Sequence, residues 1–374
     1  MKHFKSIFTV LLAVILIGSL FLINGCKKKE PEMIKVPAIL PLTGPAAFYG
    51  EWGSKGMNLA VDEINSKGGI NRKKLEIVFG DSKNEPKEGV SWINKFLSEK
   101  IPVVISAMTG VSFSVMPVAE KNNTVLFMTI VTHPEAADKS PLAFRHYINK
   151  GKAAEKMAEF ARNSLKLEKV SVLYINDEGG LGEKNSFRSE FEKLGGEVIF
   201  KESFEKTETD LKNHLLKIAG HKPEALYISG YGKLYGLALK QIYELKLKFK
   251  VLASYEPLYK TTQELAGPSL EGVFFTSPLF EEGNPESKKF IDAYIKKYGI
   301  RPELDAAFGY DVVNLIALAI KNGGYNSEGI KNALLTIKDF QGAVGRINIL
   351  PNGDTEIPIV IRTIKEGNIV PVKF

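Results

Sequence analysis

Cysteine is almost absent from this chain. Cys26 is the only one in 374 residues, which excludes an intrachain disulfide. Histidine is scarce, and the five present, at positions 3, 133, 146, 214 and 221, are scattered. None stands in an HxxxH or HExxH spacing that would set two imidazoles on one helix face, so no metal centre is expected. The chain has no GxSxG nucleophile elbow and no Walker lysine loop. Gly180-Leu181-Gly182 follows the apolar run SVLYIN, but Asn185 occupies the third glycine position of GxGxxG, so a dinucleotide turn is not expected. With no nucleophile or cofactor constellation, neither an enzyme nor a bound cofactor is indicated. Repeats of solenoid period and low-complexity tracts are missing too. Neither sign of charge dominates: the formal charge is +7, and Lys and Glu interleave in stretches such as KGKAAEKMAEFARNSLKLEK, which read as solvated helix faces. No aromatic-basic platform for nucleic acid is present.

One long apolar run exists, at the N-terminus. Lys2 and Lys5 precede residues 7–23, which are apolar apart from Thr9, Gly18 and Ser19. Ile23-Asn24-Gly25-Cys26 then resembles a lipobox, in which a small residue precedes a cysteine that receives lipid. The alternative is an uncleaved signal anchor, because the uncharged run from Ser6 to Cys26 nears bilayer-spanning length. Either reading places the rest of the chain outside the cytoplasmic membrane, tethered by its N-terminus. Residues 1–26 are thus read as an address and residues 27–32 as a tether, where Lys27-Lys28-Lys29 could meet anionic head groups. Removing residues 1–25 takes away two lysines and no acid.

The remaining 340 or so residues exceed one compact core and predict two lobes. Apolar β-rich runs at 75–79, 103–105, 125–128, 170–175, 197–200, 225–228, 250–253 and 273–276 alternate with helical patterns at 87–98, 112–122, 152–165, 184–194, 210–219 and 234–245. This alternation predicts an α/β fold with parallel sheets covered by helices on both faces. From Pro285 the rhythm becomes consecutive helices, at 286–298, 304–322 and 327–337. A short strand region, GRINILPNGD, and a terminal hairpin at 357–372 follow.

The opening stretch, ILPLTGPAAFYGEWGSKGMNLAVDEINSKGGI at 39–70, reads as a strand, a turn at Thr43-Gly44-Pro45 and a helix over 53–66 that stops at Gly68-Gly69. A strand feeding a turn and a helix N-terminus aims free N–H groups outward, a geometry suited to carboxylates. In open α/β sheets ligands collect at the carboxyl ends of strands. Two such ends are rich in hydroxyls: Ser106-Ala107-Met108-Thr109-Gly110-Val111-Ser112, and Thr129-Ile130-Val131-Thr132-His133-Pro134. For Ser112 the competing role is a helix N-cap.

PLTG, the small-aromatic-Gly turn and G-x-x-L-A-x-x-x-I-N-x-x-G-G-I together resemble the opening of the Leu/Ile/Val-binding protein family, solute-binding proteins of ABC importers. The resemblance extends over the mature chain. It implies a two-lobed type I periplasmic-binding fold with three hinge crossings, lobe one being residues 33–147 plus 279–345 and lobe two residues 148–278 plus 346–374, with GRINILPNGD as the third crossing. It also implies site residues. Thr109, with Ser112 as competitor, stands for the serine of the family's G-x-x-x-S loop. Thr132, with the backbone around Ile130, stands for its A-x-T-x-P loop, which holds an amino-acid carboxylate. For the ammonium, Ala253-Ser254-Tyr255-Glu256-Pro257 resembles a G-P-E-like stretch, with Tyr255 at the matching position and Glu256 the only acid. Tyr231 resembles a pocket tyrosine. Tyr49, Leu181 and Phe280 fall at side-chain positions and would make an apolar wall.

The expected function is that of a lipid-anchored extracytoplasmic protein that binds an apolar amino acid, branched-chain or aromatic, between its lobes and delivers it to ABC permease subunits. Alternatives within the fold are an amide, a short carboxylate or an aromatic acid as ligand, or a role as ligand sensor.

Overall fold

The structure, a computed structural model, describes residues 33–278 and 284–373. Cys26 and Phe280 lie outside the described residues.

Fifteen strands are described, in three sheets. The first sheet has the order β2-β1-β3-β4-β5, from Ile34–Leu40 (β1), Leu75–Asp81 (β2), Val103–Ala107 (β3), Val125–Thr129 (β4) and Ala143–Arg145 (β5). All its pairings are parallel, Ala107 lying opposite Thr129 at the carboxyl ends of β3 and β4. The second sheet runs β15-β14-β10-β9-β8-β6-β7, from Lys169–Ile175 (β6), Glu197–Phe204 (β7), Ala225–Ser229 (β8), Lys250–Ala253 (β9), Phe274–Pro278 (β10), Ile359–Lys365 (β14) and Asn368–Pro371 (β15). It is parallel from β7 to β10, with the C-terminal hairpin added antiparallel at its edge. The small third sheet joins Phe340–Gly342 (β11), Gly345–Ile349 (β12) and Thr355–Glu356 (β13).

Strand β8 shows why these runs fold as central parallel strands. Leu226 and Ile228 enter one buried cluster, Ala225 and Tyr227 another on the opposite face. Side chains alternate along a strand, so a run apolar at every position must be covered on both faces. Helices supply that cover. The five-stranded sheet has its own cluster, which includes Val36, Ile105, Phe127 and Met128 together with Phe308 and Ile316 of the helix Leu304–Gly323. The chain therefore passes from the first sheet to the second after β5, returns between β10 and the helix Pro285–Tyr298, and crosses again between β13 and β14.

Three expectations are corrected by packing. The first helix runs Ala47–Ser66, nearly two turns longer than expected. Its glycines are not breakers; they allow close approach. A Cβ on Gly56 would stand 1.9 Å from Ala306 O, and one on Gly309 would stand 2.3 Å from Gly53 O. Second, β5 has only three residues and was not expected; it adds to β4 as an edge. Third, the last change of body comes later than position 346. Ile347 and Ile349 are fully buried in the first cluster, and Gly353 O accepts from Arg145 N.

Candidate functional site

A cavity of about 240 Å³ lies between the two large sheets, at the carboxyl ends of strands from both. It is smaller than the roughly 300–1,000 Å³ of pockets for drug-sized ligands. From the first sheet come Met108, Thr109 and Gly110 after β3, Ile130 and Thr132 after β4, and Tyr147 and Lys150 after β5. From the second come Asp177 and Gly179 after β6, Tyr231 after β8, and Tyr255 and Glu256 after β9. Tyr49 joins from the first helix.

The first wall is a polar cradle. Thr109 opens the helix Thr109–Lys121, and its Oγ1 accepts from the Thr132 N–H at 3.4 Å. Both threonines are half-buried, open to the cavity rather than sealed in the core. Met108 and Ile130, immediately before the two hydroxyl turns, have φ of 70° and 54°. For a β-branched residue such as Ile130 that region costs about 1–3 kcal/mol, and it persists because the surrounding packing holds it. The result aims backbone and threonine side chains at one point. A second helix N-terminus, that of Glu178–Lys193, comes against the same point: a Cβ on Gly179 would stand 3.0 Å from Thr132 Oγ1 and 4.0 Å from Thr109 Oγ1. Two converging helix N-termini, bearing free N–H groups and positive dipole ends, favour an anion.

The second wall is acidic and aromatic. Tyr231 donates to Asp177 Oδ2 at 2.7 Å, and Asp177 Oδ1 caps its helix by accepting from Gly180 N at 2.8 Å. Burial, then the neighbouring Asp177, raises the Tyr231 hydroxyl above the ordinary phenol range. Tyr49 meets Tyr231 edge-on, ring centres 6.5 Å apart. Glu256 is 0 % exposed. Its Oε2 accepts from Gly232 N at 3.2 Å, while its Oε1 has no hydrogen-bond partner among the described residues. Burial pushes its carboxyl up to about 7, although Lys150 and the Gly232 N–H oppose the rise. Lys150 lies between Glu256 and Glu183, 3.8 and 3.3 Å from their oxygens. Burial alone would lower its ammonium; the two carboxylates outweigh that and hold it above the ordinary lysine range.

A model of the periplasmic binding protein family matches residues 33–368. The chain belongs to that family. Among curated proteins, this binding protein is 29% identical over 330 residues to the Leu/Ile/Val-binding protein homolog 3 of Brucella melitensis, covering 87% of this chain and 89% of the relative. Among solved structures it resembles the leucine-binding protein LivK of Thermotoga maritima (TM-score 0.83, 27% identity, 91% of this chain and 98% of the other). It also resembles LivJ of Streptococcus pneumoniae, a branched-chain amino acid transporter substrate-binding protein solved with isoleucine (TM-score 0.82, 26% identity, 90% and 98% covered). The fold is thus the α/β type I periplasmic-binding fold, and the family's role is extracytoplasmic solute binding, not catalysis.

Within this binding protein, Tyr49, Thr109, Ile130, Thr132, Tyr231, Tyr255 and Glu256 all line the one cavity. Two expected residues do not. Ser112 is 0 % exposed and shares a hydrogen bond of 2.8 Å with Ser106, one turn inside the helix, so it is neither the N-cap nor a cavity residue. Leu181 lies within the helix Glu178–Lys193 and does not line the cavity; Gly179 does. Tyr255 and Glu256 were read as alternatives, and both line it, Tyr255 reaching Tyr147 Oη at 3.4 Å. Lys150, Asp177 and Tyr147 were missed. Asp177 carried a signal, an acid between a strand and a helix start. Lys150 carried none, standing among the lysines of a solvated-looking helix.

Proposed function

We propose that this protein binds an apolar α-amino acid in the cleft and passes it to an ABC permease. The observation that carries this reading is a pair of hydroxyls at a helix N-terminus facing, across a small cavity, a buried carboxylate whose Oε1 has no hydrogen-bond partner among the described residues. The ligand's carboxylate would take hydrogen bonds from Thr109, Thr132 and the adjoining backbone, and its ammonium would meet Glu256 Oε1 and the Tyr231 and Tyr255 rings. Tyr49 would cover an uncharged side chain. Charge-assisted hydrogen bonds contribute roughly 1.5–3 kcal/mol each, so a few of them plus a buried side chain reach the roughly 8 kcal/mol of a micromolar ligand after ordering costs. The relatives named for leucine and isoleucine support this class of ligand.

A panel of amino acids, amides and organic acids, read by thermal shift and then calorimetry, tests the proposal, since a ligand of the folded state raises apparent stability. Apolar amino acids should raise the melting temperature; a panel in which only amides or only amine-free acids do so would sink the amino-acid reading. We further propose that Cys26 carries the lipid that holds the protein at the membrane, supported by the lipobox-like Ile23–Cys26 and the basic tether. Metabolic labelling with a fatty acid should mark the protein, and a Cys26→Ala protein that still labels would refute the anchor.

A further inference from the structure

Binding of an amino acid has no obvious use for Lys150. It is 2 % exposed, lines the cavity and donates to Gly230 O at 3.0 Å. Its ammonium stands 3.3 Å from Glu183 and 3.8 Å from Glu256, and 5.2 and 6.0 Å from the ring centres of Tyr255 and Tyr231. A carbonyl, two carboxylates and two aromatic rings are the surroundings a ligand's own ammonium would seek. The cleft already contains a cation.

We propose that Lys150 is a specificity-determining residue, a resident cation that lets the cleft hold carboxylates lacking an α-ammonium, the 2-oxo and 2-hydroxy acids of the same apolar side chains, as well as the amino acids. This deepens the preceding reading of the cleft and rests on it. Glu183 accepts from Tyr227 and Ser229 at 2.7 Å each and pairs with Lys150, so those two charges cancel. Of the two carboxylates that flank Lys150, Glu256 is the one left over. With an amino acid, the ligand's ammonium balances an ionised Glu256. With an oxo acid, Glu256 takes one proton from solvent, which its elevated carboxyl makes inexpensive near neutral pH. Without Lys150, Glu183 would be an uncompensated buried charge, and a ligand that brings only a carboxylate would meet it unscreened.

The charged groups facing Glu256 are Lys150, Glu183 and Asp305, from three different helices. Around it also stand the hydroxyls of Tyr49, Tyr231 and Tyr235, with those of Tyr255 and Tyr259 from its own segment. Burial raises all five tyrosines, which keeps them protonated, so the proton balance of binding falls on Glu256 and Asp305.

The test is calorimetry of the intact protein at pH 7 with two matched pairs: L-leucine against 4-methyl-2-oxopentanoate, and L-phenylalanine against phenylpyruvate. Each titration is run in two buffers of different ionisation enthalpy. For the side chain that fits, the oxo acid should bind within about tenfold of the amino acid. The oxo acid should take up protons and the amino acid release them. Lys150→Gln should weaken the oxo acid at least about tenfold more than the amino acid, and adding Glu183→Gln should recover much of that loss by removing the stranded charge. A wild-type preference for the amino acid beyond about a hundredfold, or equal weakening of both ligands in Lys150→Gln, would overturn the role given to Lys150. Should Lys150→Gln not fold, the wild-type affinity ratio and proton counts decide alone. If no member of either pair binds, the amino-acid reading itself fails; amino acids binding alone defeats only the present inference.

Discussion

At the residue scale, the cleft separates side chains that line the cavity from those that hold them in place. Thr132→Ala should weaken binding by roughly 1.5–3 kcal/mol with little effect on melting, because its hydroxyl faces the cavity rather than the core. Calorimetry checks this, and unchanged affinity would remove Thr132 from the site. Ser112→Ala should do the reverse. It leaves the buried Ser106 hydroxyl without its 2.8 Å partner, at a cost of roughly 1–3 kcal/mol in stability, and leaves affinity alone. Threonines 109 and 132 were legible in the sequence because each follows an apolar strand directly, where open α/β sheets gather ligands. Lys150 was not. Its burial depends on Glu183 and Gly230, 33 and 80 positions away, and a lysine that will be paired looks the same in sequence as one that will be solvated.

At the element scale, the junction of the helices Ala47–Ser66 and Leu304–Gly323 rests on small residues at Gly53, Gly56, Ala306 and Gly309. Gly56→Ala sets a methyl 1.9 Å from a backbone oxygen, which forces the helices apart and should cost about 1–3 kcal/mol by overpacking. A thermal melt should show the loss; an unchanged melting temperature would mean the helices already have room. The sequence placed these glycines inside helices but gave no sign of their packing role, since nothing local tells a glycine that merely tolerates a helix from one that lets another helix approach. Strand β9, by contrast, was read to the residue, because its hydrophobic run is bounded on both sides by polar or turn-forming positions.

At the scale of the whole molecule, one ion pair ties β5 of the first sheet to the turn between β12 and β13. Arg145, fully buried, donates to both carboxylate oxygens of Asp354 and to His133 O. Asp354→Ala strands that guanidinium and should cost about 3–5 kcal/mol, read by denaturant unfolding. Two buried acids set a pH dependence of the ligand-free protein. Burial raises Glu256 and Asp305 to about 7, from ordinary values of 4.5 and 3.8. A carboxyl whose folded value is raised binds its proton more tightly in the folded state, so stability contributed by these groups is present at low pH and falls as pH rises towards about 7. Glu202 and Glu208 act oppositely: burial would raise them, but hydrogen bonds and His214 prevail and lower them, so their contribution is lost only in acid. Melting temperatures between pH 5 and 8 should therefore decline, and Asp305→Asn should flatten the decline. A wild-type profile rising through that window would contradict the burial argument.

Apolar β-rich runs, helical stripes and strand-end hydroxyls are local properties, and from them the sequence by itself determined an α/β architecture, its alternating order and the turns that line the cavity. What only the tertiary structure decided depends on contacts between distant segments: the burial of Lys150 between two acids, the packing role of the first helix's glycines, the exclusion of Ser112 and Leu181 from the cavity, and the later point at which the chain leaves its first body. The physical reason is that desolvation and close packing belong to pairs of residues far apart in the chain. Periodicity reports which face of an element is apolar, but not which neighbour will cover it.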